Sequence, residues 1–289
     1  MSLKGKTLFM SGGSRGIGLA IAHRAAAEGA NVAIAAKTAE PHPRLPGTVF
    51  TAADEINGVG GGRALALVCD IRDEAQVDEA VATTVKEFGG VDICINNASA
   101  ISLTGTLDTP MKRYDLMSEV NTRGTYMVSQ KVLPHLQQSS GAHILNLSPP
   151  LDLNPKWFKN HVAYTIAKYG MSLCVLGMAE EFRDQGIGVN ALWPLTAVDT
   201  AAVRNVIGDD EMALMCRNPT MMADAAIAVL SRDPVKCTGN FFIDEEVLKE
   251  EGVSDFSAYQ HGSATKLLAD FFIPDDVFER SDTPVVHGF

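Results

Sequence analysis

The sequence predicts an α/β fold, one doubly wound parallel sheet with helices on both faces. Three observations carry this reading. Short, near-continuous apolar runs of strand length recur along the chain, longer segments of helical pattern separate them, and the alternation runs without a break to about residue 244. Strands covered on both faces need apolar residues at successive positions, and a parallel pair needs a long crossover, which a helix supplies.

The elements follow in order. TLFMS (7–11) is the first strand candidate, and GIGLAIAHRAAAEG leads from it to NVAIAA (31–36), ending on Gly29 as helices often end. ALALVC (64–69), the helical DEAQVDEAVATTVKEFGG, VDICIN (91–96), HILNLS (143–148), IGVNALW (187–193) and GNFFID (239–244) complete the series. Residues 1–244 are therefore assigned to one domain. Residues 245–289 form an acidic C-terminal extension, packed on that domain or trailing from it, with LLADFF as its amphipathic piece. Three segments interrupt the rhythm: 38–50 and 148–160, each with three prolines, and 194–218. All lie near the expected C-terminal ends of strands, where open α/β sheets bind ligands.

Composition narrows the function. The net charge of −11 disfavours nucleic acid and anionic membrane surfaces as partners. No apolar run reaches the roughly 18 residues of a membrane-spanning helix, and MSLKGKTLFM lacks a signal-peptide pattern. The cysteines (Cys69, Cys94, Cys174, Cys216, Cys237) form no CxxC, and the seven histidines show no ligand spacing. A cytoplasmic, metal-free protein with reduced thiols is expected.

The first strand candidate runs into SGGSRGIG, and a helix follows at once. Glycines at 12, 16 and 18 permit a tight turn and close backbone approach to a pyrophosphate, which the helix N-terminus attracts. Gly12, Gly13, Ser14, Arg15, Gly16, Ile17 and Gly18 are thus the expected dinucleotide loop. Where a carboxylate would hold the ribose hydroxyls of NAD, at the end of the second strand, this chain has Lys37. Lys37 and Arg15 suit a 2′-phosphate, so NADP is favoured, with NAD as the alternative. Asp70, ending the third strand, is placed either to accept a hydrogen bond from the adenine amino group or to cap the next helix.

In HVAYTIAKYG, Tyr164 precedes Lys168 by four residues, which puts both on one helix face. A free phenol has a pKa near 10, and a neighbouring ammonium favours its anion, each tenfold gain in acidity reflecting about 1.4 kcal/mol. Taken alone, the pair is far more readily an ordinary structural pair, since this spacing arises often by chance on helices. Downstream of a dinucleotide loop it reads as an acid–base couple.

SGGSRGIG, NNAS at 96–99, NTRG at 121–124 and YTIAK at 164–168 together resemble the motifs of the short-chain dehydrogenases/reductases, over about residues 4–244. The resemblance implies a Rossmann-type sheet of seven strands in the order 3-2-1-4-5-6-7. It implies that Tyr164 protonates a carbonyl oxygen as hydride reaches its carbon, or acts as base in reverse. Lys168 would hold the nicotinamide ribose and favour the phenolate, Asn121 would link the lysine to solvent through water, and Asn97 would line the cofactor. Helices containing NTRGTYMVSQKVL and YTIAKYGMSLCVL would pair across subunits of a homodimer or homotetramer. Two departures stand out. Ser99 replaces the usual glycine of NNAG, and the usual serine pair after the fifth strand, whose second member is catalytic, reads Ser148-Pro149. Pro149 has neither hydroxyl nor amide hydrogen, so Ser148 is the expected catalytic hydroxyl, with Asn154 or a water as substitutes.

The segment 194–218 acts as a lid in this reading. Its Leu195, Val198, Val203, Val206, Ile207, Met212, Leu214 and Met215 suggest an apolar ligand, and the resemblance implies a lipid-like carbonyl or alcohol substrate. The competing reading is a non-catalytic NADP sensor or interaction protein on the same fold.

Overall fold

The structure is a computed structural model describing residues 1–42, 45–201, 203–204, 210–261 and 264–288. Its main sheet holds β1 (Thr7–Ser11), β2 (Asn31–Ala36), β3 (Ala64–Val68), β4 (Ile93–Asn96), β5 (His143–Asn146), β6 (Gly188–Trp193) and β7 (Phe241–Ile243). All six pairings are parallel and the order is β3-β2-β1-β4-β5-β6-β7. The helices are α1 (Gly16–Ala27), α2 (Val49–Val59), α3 (Glu74–Phe88), α4 (Met111–Met117), α5 (Gly124–Leu136), α6 (Val162–Glu181), α7 (Asp210–Ala213), α8 (Thr220–Leu230), α9 (Asp244–Glu250) and α10 (Asp275–Glu279). A π-helical turn, Ser118–Arg123, joins α4 to α5. A small parallel pair, β8 (Leu267–Leu268) with β9 (Val285–Val286), lies apart from the main sheet.

Strand side chains alternate between two cores, as the pleat requires. Leu8, Met10, Val32 and Ile34 face a core with α1, α2, α8 and α9, while Phe9, Ala33 and Ala35 face another with α3, α5 and α6. With both faces covered, every residue of β1, β4, β5 and β6 is buried. Several strands stop short of their apolar runs. β5 ends at Asn146 because the Ser148 N–H turns back to the Asn146 carbonyl at 2.9 Å and leaves the ladder. β3 ends at Val68, so Cys69 and Asp70 lie just beyond it. Helix α6 has the length and apolar character of a membrane span, with 56% of that window buried inside the fold.

The expected boundary at 244/245 falls at the start of α9, whose Val247 and Leu248 belong to the first core. Glu245 is buried and pairs with buried Arg217 at 2.8 Å. Burial would raise the Glu245 carboxyl, but hydrogen bonds from Ser281 and Thr283 and the Arg217 charge hold it below its ordinary range. Further on, the chain returns across the lid segment. The Ala197 N–H donates to Leu268 O (2.8 Å) and the Asp270 N–H to Leu195 O (3.1 Å). This return delivers Phe272, fully buried at a φ of 67°, against the rings of Trp157, Tyr164, Tyr169 and Trp193. A non-glycine residue in the left-handed region costs about 1–3 kcal/mol unless its surroundings fix it, and here four rings do so.

Phe272→Ala should therefore lower unfolding stability by about 3–5 kcal/mol, the usual cost of emptying a buried aromatic site. Urea unfolding followed by tryptophan fluorescence checks this, and a loss below about 1 kcal/mol would show the ring to be dispensable.

Candidate active site

The strand order reverses beside β1, whose neighbours are β2 and β4, and a cleft of about 440 Å³ opens there. Such a switch point is where open α/β sheets take ligands. The loop after β1 shapes it through glycine. At Gly12 (φ 78°) a Cβ would lie 2.7 Å from Ala98 Cα, and at Gly18 it would lie 2.5 Å from Asn97 Nδ2. Asn97 donates that amide to Gly12 O at 2.6 Å, so it fastens the loop as well as lining the cleft. Helix α1 begins without a side-chain cap on its first N–H groups, which leaves them open to an anion. Gly12, Ser14, Arg15, Gly16 and Ile17 line the cleft directly, while Gly13 packs on Ile34 behind it.

Lys37 is exposed at the end of β2 and lines the same cleft. Arg15 also lines it, with its guanidinium donating to Pro46 O (2.9 Å) and Gly47 O (2.8 Å) across the loop at 38–50. Asp70 lies on the cleft wall, gripped by Arg72 through bonds of 2.9 and 2.6 Å. That guanidinium is the main reason its carboxyl falls below the usual range. Helix α3 is capped instead by Asp73, which accepts the Ala75 and Gln76 N–H groups.

A second cavity, of about 190 Å³, shares Ile17, Asn97, Ser99 and Thr200 with the cleft and so continues it inward. Tyr164, Lys168, Leu147, Trp193, Asp270 and Phe271 wall it. The structure therefore brings the Tyr–Lys pair and the glycine loop to one connected space. Burial, helped by the Asp270 charge, pushes the Tyr164 phenol well above its ordinary range. The Lys168 ammonium donates to Leu147 O at 2.7 Å and lies 4.8 Å from the centre of the Trp193 ring. Burial lowers its pKa to about 7, against the pull of Asp270.

Asn121 is fully buried in the π-helical turn, and both of its amide ends are taken by Ala100: Oδ1 accepts its N–H (2.8 Å) and Nδ2 donates to its carbonyl (2.9 Å). The turn is clamped to α6, where a Cβ on Gly170 would lie 2.2 Å from Thr122 Oγ1. Ser148 is fully buried, its hydroxyl has no hydrogen-bond partner among the described residues, and it is not on the cavity wall. Asn154 is exposed and caps a 3-10 turn at Pro155–Trp157. Of the lid side chains, Leu195, Val198 and Val203 are buried, while Val206 and Ile207 lie outside the described residues.

Sequence reasoning missed two groups. Asn96 donates to Ser129 Oγ (2.9 Å) and Asn146 Oδ1 (2.8 Å), and Asn146 donates to Met171 O (3.1 Å), tying the ends of β4 and β5 to α6. Asparagine closing two apolar strands was the available signal. The other is Asp270, a lone carboxylate inside the apolar LLADFF. A larger groove of about 1030 Å³ on the outer side of α1 and α8 meets the cleft at Arg15 and Gly16.

A buried ammonium held mainly by one carbonyl lowers stability, and an apolar replacement of similar size often restores about 1–4 kcal/mol. Lys168→Met should thus unfold at higher urea than the wild type at pH 7. The gap should narrow as pH rises from about 7 toward about 10, because the folded wild type sheds this proton before the unfolded chain does. A less stable variant at neutral pH would contradict this.

Residues 6–211 match the family model for short chain dehydrogenase. The chain is 57% identical over 289 residues to hydroxysteroid dehydrogenase-like protein 2 of Danio rerio, spanning 99% of this chain and 68% of that protein. It is 57% identical over 273 residues to the Homo sapiens protein of the same name, spanning 94% of this chain and 64% of that one. A solved short-chain dehydrogenase from Mycobacterium thermoresistibile superposes with a TM-score of 0.88 at 55% identity, covering 94% of this chain and 96% of the other. With the strand order, glycine loop and Tyr–Lys pair already in place, the chain belongs to the short-chain dehydrogenase/reductase family, oxidoreductases that bind a nicotinamide cofactor.

Proposed function

We propose that this protein is an NADP(H)-dependent oxidoreductase acting on the carbonyl or alcohol group of an apolar, lipid-like substrate. The observation that carries the reading is the burial of Tyr164 and Lys168 in one small cavity continuous with the glycine-loop cleft. The uncapped start of α1 suits a pyrophosphate, and Lys37 with Arg15 suits a 2′-phosphate where an NAD site would carry an acid. Bound NADP(H) supplies or accepts the hydride.

The chain's own residues supply the rest. In reduction Tyr164 holds the proton for the substrate oxygen, and its raised pKa keeps that proton in place until charge develops. Lys168 holds the ribose and lowers the cost of the phenolate left behind. Asn121 fixes the Ala100 backbone on the wall of the cleft. Trp193, Leu147 and Phe271 exclude water around the transfer. One observation, the Ser148 hydroxyl outside the cavity wall, favours the alternative of a non-catalytic NADP sensor. Turnover of any member of a broad carbonyl and alcohol panel decides between them.

The exposed Tyr126 of α5 and Ile166, Leu173 and Leu176 of α6 leave an apolar outer face, while Val128, Val132, Met171 and Val175 are buried inside. That two-sided pattern supports a homodimer or homotetramer through these helices. All five cysteines are free, which fits a reducing compartment such as the cytoplasm.

Tyr164→Phe should abolish turnover on the panel while NADPH affinity stays within about threefold, since only the hydroxyl carries the proton. Substantial activity in that variant would reject Tyr164 as the acid. NADPH should bind at least about tenfold tighter than NADH, because a charge-assisted contact contributes roughly 1.5–3 kcal/mol. Lys37→Asp should erase the difference, and equal wild-type affinities by titration calorimetry would refute the cofactor assignment.

A further inference from the structure

We propose that Asp270, held in the cavity by the C-terminal segment, acts as a protonated carboxylic acid that donates a second hydrogen bond, beside that of Tyr164, to the substrate oxygen. This deepens the oxidoreductase reading above and rests on it.

A developing alkoxide in a dry cavity gains from every preorganised donor, and losing one typically costs on the order of 10²–10³ in rate. The positions after β5 where the resemblance places such a donor do not reach the cavity, and the hydroxyls that do line it, Ser99 and Thr200, lie on the side shared with the cleft. Pro149 has none, Ser148 has its hydroxyl in packed protein, and Asn154 is on the surface. Among the described residues, Asp270 is the only carboxyl on the cavity wall, and Tyr164 and Lys168 are on the same wall.

Its placement is specific. The Asp270 N–H bonds to Leu195 O at 3.1 Å, which ties its backbone to the start of the lid segment. One carboxyl oxygen accepts the Phe271 N–H at 2.7 Å. The Trp193 indole N–H lies close by, committed to Phe271 O at 2.8 Å. The neighbouring Phe272, locked among aromatic rings, fixes the chain on the other side. The remaining walls are mainly apolar, from Ile101, Leu147, Trp193, Pro194, Val198 and Phe271, with the polar Asn97, Ser99 and Thr200 on the side shared with the cleft.

Electrostatics agree with the geometry. Burial raises the Asp270 pKa to about 7, with a further push from Asp244 at the start of α9, while the Phe271 N–H and Lys168 pull it down. The titratable groups around it are Tyr164 and Lys168 on α6, Asp244, and Cys216 from the lid segment. A carboxyl in such a place is substantially protonated at neutral pH and can donate. In reduction the carbonyl carbon accepts the hydride, the oxygen takes the proton of Tyr164, and Asp270 shares its own proton without losing it.

The test is the reduction of para-nitrobenzaldehyde and benzil by NADPH, over roughly pH 6 to 9 so as to bracket the Asp270 titration. Asp270→Ala should lower kcat by at least roughly 30-fold. Asp270→Asn, whose amide still donates, should lose less than about tenfold. The wild-type rate should fall as pH rises through about 7, where both Asp270 and Lys168 lose protons, so the infrared readout assigns the Asp270 share of that fall. Infrared difference spectra of wild type against Asp270→Asn give a readout without turnover: a protonated-carboxyl band that titrates with the same midpoint. NADPH affinity within about threefold of wild type confirms that each variant is folded.

An alanine variant within about threefold of wild type in kcat overturns the proposal. So does an infrared spectrum with Asp270 ionised throughout, or an Asn variant as impaired as Ala, which would make Asp270 a proton carrier instead. If Tyr164→Phe is inactive while Asp270→Ala is normal, the oxidoreductase reading stands and only this inference falls. If wild type reduces neither probe, the inference falls with the reading it rests on.

Discussion

The site is arranged around the cost of burying the Lys168 ammonium. Removing an unpaired ammonium from water costs several kcal/mol, so the protein must present lone pairs and a π face at fixed points. Leu147 O is available because β5 ends one residue earlier, at Asn146, and the aromatic face is that of Trp193, the last residue of β6. Helix α6 is kept in register by contacts that tolerate little change. Thr122 reaches the Ala167 carbonyl at 3.0 Å, Gly170 lets the π-helical turn come close, and Asn146 holds Met171 O. The lysine thus links the edge of the sheet to the helix that carries the tyrosine.

Charge is distributed to match. The chain carries a net −11, yet Lys37, Arg15 and the open start of α1 make a positive rim on the outer cleft. Deeper in, the balance changes. A lysine whose pKa has fallen to about 7 and an aspartate whose pKa has risen to about 7 face one apolar space, with a phenol that holds its proton firmly. The outer zone suits permanent anions, and the inner zone suits groups that exchange protons near neutrality.

The seven strands were legible because a sheet buried on both faces writes itself as runs such as NVAIAA, whose limits the structure keeps at 31–36. Strand ends were less so: nothing local in HILNLS shows that Ser148 turns back on Asn146. The glycine loop and Tyr164–Lys168 could be found from spacing, since each is a short segment whose chemistry needs its own neighbours. Asp270 and Phe272 could not. Their role arises only when the end of the chain folds over the lid segment, and that long-range contact leaves no periodic trace. The π-helical turn at Asn121 was likewise hidden, because its extra residue depends on packing against α6.

The ring cluster around Phe272 also decides which parts of the inner cavity can vary. Trp193, Tyr164 and Phe271 all touch that ring or its immediate neighbour. Enlarging the cavity on their side would therefore shift the tyrosine itself. Val198 and Val203 from the lid segment also line the cavity, and they pack in clusters other than that of these rings. A lineage of such proteins could change the shape of this space by exchanging side chains there while the Tyr164–Lys168 geometry stayed constant. Part of the lining is tied to the tyrosine through Phe272, and part is free of that tie.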